Sequence, residues 1–283
     1  MKVYICTDDE QMVGATVAKF LISQKSNIKE EEIEIINEKN FNQLDRIKGK
    51  KYLRNKKWTE FRSDDMQRFT LLRYAIPELM GYKGEALVID PDIFLVRDKL
   101  DELMPMLKDN ALICRAGIQK GSFATSLMLL NSHKLQSWNL EKIIDDLING
   151  RIDYSNLINL RNCDLAIGSL PKSWNDFDNL DRDTIFLHTT QKVTQPWRKD
   201  LPMNSYIPPL FGFLKRDFIY ALLNKPLNIG VEHPNPKISK FFFKSLSACI
   251  SNEHITIEDL KMYKKKGYVR SDILKKIDEN LLI

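Results

Sequence analysis

Apolar positions along this chain follow two alternating habits. Short continuous runs stand at 3–6, 86–89, 111–114, 126–130 and 184–187, each bounded by polar or turn-forming residues, and such runs read as strands buried on both faces. Between them the spacing turns helical, with Met12, Val13, Val17, Phe20 and Leu21 after the first run and Met66, Phe69, Leu72 and Ile76 before the second. Ser63, Asp64 and Asp65 supply a cap and an acidic first turn for the latter helix, Pro77 kinks it and Gly81 closes it. Helices are also predicted over 98–108, 136–149 and 153–160. Glu32, Glu34 and their isoleucine neighbours alternate as a second strand over 32–36, and the lysine-rich stretch 37–58 reads as loop with a short helix. After 205 the pattern is helical, at 210–223, 237–250 and 258–283. A strand, an acidic turn, a helix and a further strand open a Rossmann-like unit. The expected fold class is α/β, a mixed sheet flanked by helices over 1–205, with a helical extension over 206–283 packed on it.

Composition narrows this picture only a little. The 283 residues are 43% hydrophobic and 29% charged, ordinary values for a soluble protein. A net charge of +5, without a basic stripe interleaved with aromatics, argues against a nucleic-acid partner. Cys6, Cys114, Cys163 and Cys249 have no metal-type spacing and read as reduced thiols of a cytoplasmic protein. The first residues enter a strand without signal-peptide architecture, and no apolar run approaches the roughly 20 residues of a membrane span. Phe241, Phe242 and Phe243 lie near lysines of the last helices. That pattern raises peripheral contact with the inner face of an anionic membrane, although a solvated lysine face is the plainer reading.

The chemistry concentrates where the run 86–89 meets Asp90, Pro91 and Asp92. Pro91 keeps Asp90 out of the helical region, and two-residue alternation leans both carboxylates to one side. Hard oxygen ligands so arranged suit a divalent cation that also holds phosphates, and a pair of turn carboxylates is the alternative. Arg73, amid apolar neighbours, needs either a local acid or an incoming phosphate. Asp8 and Asp9, after Thr7, are either helix caps or contacts to a nucleotide base at a strand end. His188 ends the last apolar run and precedes a loop carrying Lys192 and Arg198, charges suited to phosphate. No Gly-x-Gly-x-x-Gly is present, so an ordinary dinucleotide fingerprint is absent.

Taken together, Arg73-Tyr74-Ala75-Ile76-Pro77-Glu78-Leu79 and Ala86-Leu87-Val88-Ile89-Asp90-Pro91-Asp92 resemble the core signature of family 8 glycosyltransferases, the glycogenin-like and lipopolysaccharide galactosyltransferase-like enzymes of GT-A fold. The resemblance continues at 3–9, at 123–131, at Leu170-Pro171-Lys172-Ser173-Trp174-Asn175 and from His188 to Trp197, covering about the first 200 residues in order. It implies that Asp90, Asp92 and His188 hold Mn²⁺ (or Mg²⁺) bridging the diphosphate of a UDP-sugar donor, and that Thr7, Asp8 and Asp9 meet the nucleoside. Arg73 would approach the phosphates or the donor sugar, with Asp90, Asp92 and Arg73 the catalytic group. A hexose would pass to a glycan or other hydroxyl acceptor with retention of configuration. The chain departs from the family pattern in three places. Gln195 stands where the phosphate-binding lysine usually does, leaving Lys192 or Arg198 as its replacement. Ala124 and Ser126 break the Phe-Asn-x-Gly pattern, and Asp153-Tyr154 replaces an Asp-Gln pair. Those departures keep open a non-catalytic GT-A protein that binds a nucleotide sugar. A dehalogenase-type phosphatase also carries Asp-x-Asp, but near the amino terminus and with threonine or valine where Phe94 stands here.

Overall fold

The computed structural model describes residues 1–62, 65, 67–202 and 229–281. They form two compact units, one of residues 1–63 and 68–188, the other of 64–67 and 189–283. The helix predicted at 210–223, the cap at Ser63 and Asp64, Met66 and the boundary expected at 205/206 lie outside the described residues.

In the first unit the strands are β1 (Lys2–Thr7), β2 (Ile33–Asn37), β3 (Lys51–Arg54), β4 (Lys57–Glu60), β5 (Glu85–Ile89) and β6 (Ile93–Leu95), then β7 (Leu112–Ala116), β8 (Phe123–Asn131), β9 (Ile167–Leu170), β10 (Asp176–Phe177) and β11 (Phe186–His188). The main sheet runs β2-β1-β5-β8-β7-β9, parallel at β1–β2, β1–β5 and β7–β9 and antiparallel on both sides of β8. This is the expected mixed sheet flanked by helices. Strand β5 lies inside it, which is why 86–89 is apolar at every position. Ala86 and Val88 face a core shared with Leu72, Tyr74, Trp138 and Ile144, whereas Leu87 and Ile89, equally buried, fall outside that cluster. The first helix is α1 (Met12–Lys25), and α2 (Ile76–Leu79), α3 (Leu100–Leu107), α4 (Leu140–Ile148) and α5 (Tyr154–Ile158) follow.

Two elements of this unit differ from expectation. Residues 37–58 carry the β3–β4 hairpin, turned by Asn55 and Lys56, both left-handed at φ 52° and 60°. Asparagine tolerates that region, so Asn-Lys between polar strands was the signal, weaker than Asn-Gly. The helix predicted over 63–81 instead winds as 3-10 from Arg68 to Ala75, with all eight residues buried. A segment packed against both β1 and α4 has no solvent side, and the narrower winding fits there.

The second unit holds α6 (Pro236–Ser251), α7 (Ile257–Lys265) and α8 (Ile273–Leu281). The helical stretch expected over 258–283 is formed by α7 and α8, with Gly267 just past the end of α7, where its φ of +71° suits glycine. Trp197 is wholly buried and stacks on Phe242, with ring centroids 4.8 Å apart. Phe242 and Phe243 are therefore core residues, whereas Lys237, Lys240 and Lys244 are exposed. Gly230 packs so tightly on the Arg198 carbonyl that a Cβ would stand 2.0 Å from the oxygen. No helix among the described residues is long and apolar enough to cross a membrane.

Candidate functional site

After Ile89 the chain leaves the main sheet. The Asp90 amide makes one last cross-strand bond, donating to the Ser126 carbonyl at 2.9 Å. Pro91 and Asp92 turn the chain into β6, which joins a separate sheet of order β10-β11-β6. There β6 runs antiparallel to β11 in a register that pairs Ile93 with His188. That register carries His188 to Asp92, with Nε2 3.5 Å from Oδ1.

Both sides of this contact are fixed from behind. Asn175 donates from Nδ2 to Ser126 Oγ at 3.0 Å, so its Oδ1 faces His188 Nδ1 at 2.8 Å. The imidazole proton therefore sits on Nδ1 and is donated to Asn175. Burial pushes the His188 pKa down to about 4, against the pull of Asp90 and Asp178. Near neutral pH the ring is uncharged, and Nε2 turns a lone pair towards a carboxylate oxygen. A neutral imidazole nitrogen beside a carboxylate oxygen is a donor pair of the kind that a cation can use.

Asp90 is held differently. Arg73 Nη2 donates to both of its oxygens, at 2.6 and 2.5 Å, and Nε donates to Oδ1 at 3.2 Å. The remaining nitrogen, Nη1, donates to Thr125 Oγ1 at 2.7 Å, and that hydroxyl donates to the Ile158 carbonyl. Burial works against the Arg73 charge, but Asp90 outweighs it and holds the guanidinium above its ordinary range. Of the two partners that sequence left open for Arg73, an acid occupies it. Among the described residues no three His, Cys, Asp or Glu side chains form a ready-made metal group, and both Asp90 oxygens are turned to Arg73.

Strand β1 runs parallel beside β5, with Ile5 level with Ile89, so its turn of acids ends at the same sheet edge as Asp90. Thr7 and Asp8 are wholly buried there. Asp8 caps the next turn by accepting from the Gln11 amide at 3.0 Å, and its other oxygen lies 3.3 Å from Arg68. Arg68 also meets Glu38 and Glu10. Burial opposes its charge, yet the three acids together raise its pKa. Asp9 accepts from Asn37 and Lys39, each at 2.7 Å, with 39% of its side chain exposed. Lys192 belongs to the second unit, in the turn Lys192–Thr194, and its side chain is outside the described residues. Arg198 is buried in that unit and donates to the Pro202 carbonyl. Sequence reasoning missed Arg68, Thr125 and the role of Asn175. Only Asn175 had left a trace, in the Trp174-Asn175 pair, and its link to His188 depends on three-dimensional register.

No family model matches the chain, and no curated protein matches it. Solved structures do. One is the galactosyltransferase LgtC in complex with donor and acceptor sugar analogues, at 15% identity and a TM-score of 0.46 over 80% of this chain and 97% of that one. The glycosyltransferase GlyE of Streptococcus pneumoniae TIGR4 is 20% identical, with a TM-score of 0.47 over 78% of this chain and 60% of that one. The bifunctional glycosyltransferase WbbM, in its apo form, is 12% identical, with a TM-score of 0.49 over 94% of this chain and 51% of that one. These are likenesses of outline, and they carry no information on donor, metal or acceptor for this chain.

Proposed function

We propose that this chain is a metal-dependent glycosyltransferase of the family 8, GT-A type. It would act in the cytoplasm, moving a hexose from a UDP-sugar to a hydroxyl of a glycan or similar acceptor with retention of configuration. The observation that carries the reading is the neutral His188 Nε2 facing the Asp92 carboxylate at 3.5 Å, beside a second acid at the carboxyl ends of parallel strands. Asp90, Asp92 and His188 would hold Mn²⁺ or Mg²⁺, and the mixed oxygen and imidazole set fits manganese better than calcium. Bound there, the ion would offset charge on the departing nucleoside diphosphate. Burial raises the Asp90 pKa, and Arg73 offsets part of that cost while orienting the carboxyl group. Asn175 holds the His188 proton on Nδ1, leaving Nε2 to coordinate. Asp9 is the acid available to the nucleoside, because Asp8 has no exposed surface. Lys192 is the remaining candidate for a phosphate contact in its loop, Arg198 being buried.

The test is thermal denaturation with UDP in Mn²⁺ or in EDTA, followed by a screen of UDP-sugars for Mn²⁺-dependent release of UDP. We expect UDP with Mn²⁺ to raise the Tm of the wild-type chain by several degrees, as selective binding to the folded state must, and Asp92→Asn to abolish that rise. Equal Tm values in both buffers, with turnover unaffected in Asp92→Asn, would refute the metal assignment. A second reading, a non-catalytic nucleotide-sugar-binding protein, draws on the full engagement of Asp90 by Arg73. It predicts the Tm rise without release of UDP from any donor.

A further inference from the structure

The first unit has a cavity of about 290 Å³ beside α5, and the proposed function gives it no role. Its lining includes Tyr74, Trp138, Leu157, Leu160, Arg161 and Cys163. The Tyr74 and Trp138 rings are 4.6 Å apart between centroids. The Tyr74 hydroxyl is already engaged, donating to the Leu157 carbonyl at 2.8 Å, so what these rings and the leucines contribute is apolar surface. A ligand's hydrocarbon part gains from covering such surface.

The polar part of the lining is unevenly satisfied. Asp153 is saturated by the amides of Lys56, Ser155 and Asn156. Arg151 is paired with Asp146 at 2.5 Å. Arg161 has no acidic partner among the described residues: one terminal nitrogen donates to the neutral Gln119 amide, and its Nε is buried without any acceptor. A buried guanidinium N–H without an acceptor is costly. A carboxylate, sulfonate or phosphate oxygen at a terminal Arg161 nitrogen would supply the acidic partner that this guanidinium lacks, in a charge-assisted bond.

We propose that this cavity binds a small organic anion with an apolar body, its head on Arg161 and its body against Tyr74, Trp138 and Leu157. The site belongs to the first unit alone and does not depend on the glycosyltransferase reading.

The experiment uses the full chain and three probes: octanoate, which has both parts, 1-octanol, which lacks the charge, and acetate, which lacks the body. Affinity is read by titration calorimetry. Position is read by the rate at which a disulfide reagent modifies Cys163, which is exposed whereas Cys6, Cys114 and Cys249 are buried. We expect octanoate to bind saturably, to bind about tenfold more tightly than octanol, as one charge-assisted bond implies, and to slow Cys163 modification. Arg161→Gln should erase the advantage over octanol, and Arg161→Lys should restore part of it. Octanoate that binds no better than octanol, or that leaves Cys163 unprotected, would overturn the proposal. Equal octanoate affinity in Arg161→Gln would overturn it as well. Should Arg161→Gln fail to fold, the wild-type comparison of octanoate with octanol decides alone.

Discussion

Arg73 in the first unit and Arg270 in the second are both withdrawn from water, at 6% and 1% exposure, yet they sit among unlike partners. Arg270 donates to Asp272 through two nitrogens, to Glu232 at 2.6 Å and to the Pro196 carbonyl, and lies 5.6 Å from the Phe243 ring centre. Its two acids keep 45% and 38% of their side chains exposed, and hydrogen bonding to Arg270 holds both below the usual carboxylate range. Donors and acceptors there are matched, and the cluster fastens residues 196, 232 and 270–272 together. Around Arg73 everything is buried, and a second acid and a neutral imidazole stand next to the pair. The Arg270 cluster is a matched set that keeps its acids in contact with water, whereas the Arg73 pair is closed off from water with Asp92 and His188 beside it.

The largest test of this contrast is Arg73→Leu, which strands Asp90 out of water. We expect a loss of about 3–5 kcal/mol in urea unfolding. Combined with Asp90→Asn, the loss should fall well short of the two single losses added together; simple additivity would dissolve the pair.

Next comes pH, in metal-free protein. The His188 pKa lies near 4 in the folded chain and about 6.5 in the unfolded one. The unfolded chain therefore binds more protons between these values. Stability should be full above about pH 6.5 and decline as pH falls towards 4, by about 3 kcal/mol in total. His188→Asn should flatten that slope, and an equally steep profile would assign it to other groups.

The smallest effect is expected for Arg270→Met, about 1–3 kcal/mol, because its partners can remain solvated. A loss exceeding that of Arg73→Leu would reverse the comparison.

Strand ends were the legible part of this site. A run of apolar residues halted by Asp90-Pro91-Asp92, and another halted by His188, could be read directly because burial on both faces imposes an unmistakable pattern. What brings them together could not. The pairing of Ile93 with His188 joins strands about ninety residues apart, and periodicity carries no register. The acid met by Arg73 was one of two options in the sequence, and only packing chose between them. The β3–β4 hairpin was hidden because each of its strands is only four residues long and its turn lacks glycine.

The Arg73–Asp90 pair has one more consequence, visible when the cluster is treated as a charge that can change sign. One guanidinium, two carboxylates and a neutral imidazole carry a formal charge of minus one, which would repel a phosphate. A divalent cation would turn the same four side chains to plus one, and a diphosphate would then be drawn in. Under the proposed function the internal counter-ion would set an order of arrival: without Arg73, loading would end at neutrality, with no such invitation to the second guest.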